Sequence, residues 1–134
     1  MTAPVLDTHV WVWWMLGDPR LSAQAVDRLD GFPADDRPVL SEISLWEVAT
    51  LVDLGRLRLE IPLEEWLRVA ASPAVVELQR VDPGIVVEMN RLPDTFHRDP
   101  ADRLIAATAR HRKRALATAD RCIIAAAVAE IWDL

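Results

Sequence analysis

Cysteine occurs once in this chain, at Cys122, so no intramolecular disulfide can form and no cysteine-based metal site can be built. No apolar run approaches the roughly 18 to 20 residues that a membrane-spanning helix requires. The opening residues Met1-Thr2-Ala3-Pro4 carry neither a basic n-region nor an apolar h-region, so the expectation is a chain that stays in the cytoplasm. Repeats, low-complexity tracts and linkers are also missing. Together with a length of 134 residues, that implies a single domain over 1–134 with a real core. A hydrophobic fraction of 51% beside 27% charged residues excludes a disordered chain.

Short β-rich runs alternate with helical stretches. Val5-Leu6 reads as a first strand, and the Trp-rich Val10 to Leu16 closes at Gly17-Asp18-Pro19. Ser22 caps a helix through Leu29, Pro38-Val39-Leu40 is a second strand, and Val75 to Leu78 a further one. Ser44 and Glu47 have capping-box spacing at the head of a helix that ends by Gly55. Another helix follows Pro62. Asp82-Pro83 and Asp99-Pro100 each start one as N-cap and N1, running to about Arg91 and His111. Leu116 to Thr118 is a short strand before Asp120, and Val128 to Trp132 is read as the last. This order predicts an α/β fold, a central parallel sheet flanked by helices.

Four carboxylates stand at the edges of these elements. Asp7 ends the first strand, where open α/β folds bind ligands. Glu47 shares a helical face with Ile43, Leu51 and Leu54, so its charge needs a partner; Arg56 and Arg58, the nearest cations in sequence, lie beyond the helix end. Asp99 is explained as a cap. Asp102, at N3, heads a stripe of Ile105, Ala106 and Ala109 and so aims inward. Asp120 stands at another strand-to-helix junction. His9 reads as a structural histidine outside the group. Acids gathered at one sheet edge repel one another unless a cation joins them, and an all-oxygen donor set suits Mg²⁺ or Mn²⁺. The chemistry expected is metal-assisted hydrolysis of a phosphodiester.

Charge runs the other way. The net charge is −6 and the isoelectric point near 5.0, unlike many nucleic-acid binders. Basic residues are bunched between Arg98 and Arg114, and Arg103, Arg110 and Arg114 are the candidate phosphate contacts. The plain alternative is a solvated helix face. The six tryptophans, at 11, 13, 14, 46, 66 and 132, are read as core or subunit interface in preference to base stacking.

At these residues the chain resembles a PIN domain, and in particular a ribonuclease toxin of the VapC type. Leu6-Asp7-Thr8-His9-Val10-Trp11 is similar to the family's opening block, and 40–47, ending Ser44-Leu45-Trp46-Glu47, to its second. The segment 96–107, which includes His97-Arg98-Asp99-Pro100-Ala101-Asp102, is similar to the third, and Thr118-Ala119-Asp120-Arg121 to the fourth. The resemblance covers essentially the whole chain. It implies that Asp7, Glu47, Asp102 and Asp120 are the catalytic, metal-holding acids, with Thr118 and Asp99 in support. It also implies Mg²⁺-dependent RNA cleavage, a homodimer and an inhibiting antitoxin partner. The Ala125-Ala126-Ala127 stretch departs from the bulkier residues common in the family after the last acid.

Two other readings compete. A non-catalytic PIN-like module would keep the fold and act by binding. An Asp-dependent phosphatase would want an acid at position 9, where His stands, and a basic partner, for which Lys113 is the chain's sole lysine.

Overall fold

The computed structural model describes residues 2–96 and 98–134. Four short parallel strands form one sheet: β1 (Val5–Leu6), β2 (Val39–Ser41), β3 (Glu77–Gln79) and β4 (Leu116–Ala117), in the order β3-β2-β1-β4. The α/β expectation holds. The last segment differs from the reading: instead of a full strand, it makes one parallel bridge, Leu116 to Ile131. The third strand also starts later than expected, because Val75 and Val76 close a turn onto Ser72 before pairing begins.

Successive residues on the strands serve opposite faces, and both faces are covered, as a parallel sheet requires. Leu6, Leu40 and Ala117 pack with Trp11, Leu29 and Trp66 on one side. Val5, Val39 and Leu116 pack with Phe96, Ile105 and Ile123 on the other. The first side is roofed by α1 (Thr8–Leu16), α2 (Ala23–Asp30) and α4 (Leu63–Ala70), the second by α5 (Pro83–Asn90), α6 (Pro100–Arg112) and α7 (Arg121–Ala126); α3 (Ile43–Asp53) contributes residues to both.

Most helix starts obey their local signals. Ser22 accepts from Ala25 N–H, Asp82 from Ile85 N–H, and Asp99 from Ala101 N–H, each as N-cap. The capping box at Ser44 does not form. Helix α3 begins two residues earlier, with Glu42 at its cap position making no side-chain cap bond. Ser44 is fully buried and its hydroxyl lies 2.8 Å from that of Thr8. Glu47 is thereby released for the site. Glu42 instead accepts from Val81 N–H at 2.9 Å, tying the start of α3 to the segment that follows β3.

Of the tryptophans, Trp11, Trp66 and Trp132 are buried as expected, whereas Trp46 is 61% exposed. The indole of Trp14 donates to Asp30, and Trp13 faces a cavity. No helix among the described residues is long and apolar enough to cross a membrane.

Candidate active site

Strand register brings the first and last acids together. β1 pairs with β4, and Asp7 N–H donates to Ala117 C=O at 2.9 Å just beyond the paired residues. Asp7 then caps α1, its Oδ1 accepting from Thr8 N–H at 2.8 Å. Its Oδ2 accepts from the Thr118 hydroxyl at 2.7 Å, and the residue is only 3% exposed. The Thr118 oxygen in turn accepts from Asp120 N–H at 3.0 Å. Asp120 caps α7, with Oδ1 accepting from the N–H groups of Cys122 and Ile123. A buried carboxylate held by oriented donors keeps one geometry, which a site of fixed chemistry needs.

Glu47 reaches the same place from α3. The Thr8 hydroxyl donates to its Oε1 and so accepts from Ser44. Burial pushes the Glu47 carboxyl above the usual range; the Thr8 hydrogen bond opposes the rise, and the charges of Asp7 and Asp99 add to it. Asp102 arrives from α6 half-buried. Its carboxyl is pushed up to about 7, first by burial and then by the charges of Asp7, Asp99, Glu47 and Asp120. All four expected acids line one cavity of about 260 Å³, and Asp99 serves as the cap of α6.

This set of oxygens matches the donors that a hard divalent cation takes, and its crowded charge is what such a cation would relieve. Among the described residues, no three acidic, histidine or cysteine side chains are set to hold a metal ion as they stand. The carboxylate oxygens accept from Thr8, Thr118 and backbone N–H groups; Asp120 Oδ1 takes two such bonds, while the singly bonded oxygens of Asp7 and Glu47 retain a further lone pair. The donor chemistry therefore fits a divalent ion, provided that the carboxylates close toward it.

Several cavity residues escape a reading of the sequence. His9 belongs to the site: its Nδ1 is 3.5 Å from Asp7 Oδ2, and its Nε2 accepts from Ala119 N–H at 2.9 Å. Its spacing of two residues from Asp7, in the first turn of α1, was the available signal. Thr8, Trp13, Arg20 and Arg56 also line the cavity. Arg56 does lie beyond the end of α3, but Gly55 takes φ +71 and Arg56 N–H bonds back to Leu51 C=O at 2.9 Å. That reversal brings the arginine to the cavity that the acids line.

The candidate phosphate arginines are engaged elsewhere, which corrects the expectation for them. Arg110 donates to Glu88 at 2.7 Å and to Val128 C=O. Arg114 donates to Asp36 at 2.9 Å and to Ala3 C=O. Arg103 lies against the Phe96 ring and donates to the carbonyls of Phe96 and Met89. None of the three lines the acid cavity; they tie the fold together. His97, part of the third block, lies outside the described residues.

Comparison with known proteins agrees with this geometry. The family model described as PIN domain matches residues 5–129. The chain is 38% identical over 121 residues to "Ribonuclease VapC22" of Mycobacterium tuberculosis (strain ATCC 25618 / H37Rv), covering 90% of this chain and 89% of that protein.

Proposed function

The chain belongs to the PIN-domain family, and on that premise we propose that it is a divalent-metal-dependent endoribonuclease, the toxin of a toxin–antitoxin pair acting in the cytoplasm. The observation that carries this reading is the convergence of Asp7, Glu47, Asp102 and Asp120, from two helices and two strand ends, on one cavity. Glu47 and Asp102 weaken a protein that has no use for them, since burial and repulsion both disfavour their charged forms.

Asp7, Glu47, Asp102 and Asp120 would hold Mg²⁺ or Mn²⁺. Such an ion, when bound, activates water and offsets phosphodiester charge by Lewis acidity. The chain's own contribution is placement. Thr118 and the Thr8 N–H fix both oxygens of Asp7, and Thr8 with Ser44 fixes Glu47. Asp102 must give up its proton before it can act as a ligand, because the charged form binds the cation.

The same charge suits an inhibitor. An acid-lined cavity pairs well with a basic side chain of an antitoxin, above all an arginine with its planar fork of donors. Trp46 and Val69, both more than 60% exposed, offer apolar surface for the rest of that partner or for a second copy in a homodimer.

The test is purified protein with RNA and Mg²⁺ or Mn²⁺, alongside expression of the chain alone in cells. Cleavage that a chelator stops, and growth arrest that Asp7→Asn relieves, are expected. A wild-type chain that cleaves no RNA and arrests no growth would leave a PIN-like binding module as the function.

A further inference from the structure

The acid cavity has a second wall of opposite character. Arg56 lies at its rim, exposed, and among the described residues it makes no ion pair with the acids beside it. Arg20 lines the same cavity and is held flat. Its Nε and Nη2 donate to the two oxygens of Asp18 at 3.1 and 2.7 Å, and its guanidinium carbon sits 4.9 Å from the centre of the Trp13 ring. Trp13 is itself packed on His9, 4.9 Å between centroids. Two-thirds of the Arg20 side chain remains exposed.

An acid-lined cavity repels a polyanion, so a substrate strand needs a cation of the protein's own. The arginines between 103 and 114 do not supply it, being paired internally. We infer that Arg56 and Arg20 form the RNA-docking wall of this cavity: Arg56 pairs with a backbone phosphate beside the acids, and the Arg20 guanidinium, braced by Asp18 and Trp13, stacks an unpaired base. The roles differ for a physical reason. Arg56 has an uncommitted charge, whereas Asp18 already offsets that of Arg20 and leaves a rigid plane, a good surface for a nucleobase. A base must be unstacked to reach that plane, so the substrate segment is single-stranded. This inference rests on the ribonuclease reading and assigns the substrate contacts of that site.

The test measures binding of a short, fluorescent, single-stranded RNA in Mg²⁺ across a salt series, in an Asp7→Asn background that does not cut the probe. Arg56→Ala is expected to weaken binding about tenfold and to reduce the slope of log K against log salt by about 0.7, the value for one phosphate contact on a single strand. Arg56→Lys should restore the slope. Arg20→Ala and Arg20→Lys should each weaken binding about five- to tenfold, with the slope unchanged for Lys, because stacking needs the plane and not the charge. Arg68→Ala, on an exposed α4 arginine outside the cavity, sets the baseline for loss of one charge. If Arg56→Ala and Arg20→Ala match Arg68→Ala while the wild type cleaves RNA, the docking wall is refuted and the ribonuclease reading stands. Full rescue by Arg20→Lys refutes the stacking role. A wild type that cleaves nothing, with no probe bound in the Asp7→Asn background, overturns both.

Discussion

The Thr118 hydroxyl donates to Asp7 Oδ2 at 2.7 Å, joining residues 111 positions apart. It also accepts from Asp120 N–H, so a single oxygen links the Asp7 carboxylate to the backbone of Asp120. Neither residue position explains the other in the sequence. The pairing of β1 with β4 produces the contact.

Thr118→Val keeps the shape and removes that hydroxyl. It leaves Asp7 Oδ2 and the Asp120 N–H without this partner in a nearly dry site, so a cost of about 1–3 kcal/mol is expected in urea unfolding. Cleavage should fall roughly 10–100-fold, as when the support of a metal ligand is lost. Thr118→Ser should recover most of both. Equal activity of the Val and Ser variants would show that the hydroxyl only fills space.

Asp102 gives a pH dependence of definite sign. Its carboxyl titrates at about 7 when folded, against 3.8 for an ordinary Asp. Between those values the folded chain holds a proton that the unfolded chain has released, so this group's contribution to stability falls as pH rises and levels off above about 7. Asp102→Asn removes the penalty. Without divalent metal at pH 8 the variant should be the more stable, by about 1–2 kcal/mol once solvent screening of a half-exposed group is allowed for. At pH 4 the two should unfold at similar urea concentrations. A variant less stable than wild type at pH 8 would contradict the assigned cause.

Added Mn²⁺ should raise the melting temperature of the wild type at pH 8, because a ligand of the folded state stabilises it in proportion to the logarithm of its concentration. Asp102→Asn should lose most of that increment, and Asp7→Asn all of it. An identical Mn²⁺ response in all three chains would place the ion elsewhere.

Asp99→Ala should behave as the loss of a helix cap. Removing the bond from Ala101 N–H costs about 1 kcal/mol and leaves the cleavage rate within a few-fold of wild type. Loss of cleavage in a folded Asp99→Ala protein would mean that the nearby charge of Asp99 matters to the chemistry itself.

Arg110→Ala should lower the urea midpoint, because Glu88 and the Val128 carbonyl lose their donor. The salt dependence of RNA binding should not change. A flatter salt slope for this variant would return the residue to the phosphate-contacting role that its spacing first suggested.

What the sequence by itself determined is local. Asp or Ser before a helix, Pro at N1 and alternating apolar pairs act within three or four residues, and so Ser22, Asp82, Asp99 and the first strand stand where their neighbours dictate. The four acids were legible for the same reason, since each marks the edge of an element. Only the tertiary structure decided which side chains meet. Ser44 looked like a cap because its spacing to Glu47 is right, but packing of α3 against α1 gave its hydroxyl to Thr8 and sent Glu47 into the cavity. The arginines from 103 to 114 looked free because their partners, Glu88, Asp36 and the carbonyl of Phe96, are brought to them by other parts of the fold. Arg56, dismissed by its distance along the chain, reached the acid-lined cavity past one glycine with positive φ. Local order is set by dihedral preference and near-neighbour hydrogen bonds. The pairing of charges depends on strand order and helix packing, which bring together residues separated by dozens of positions.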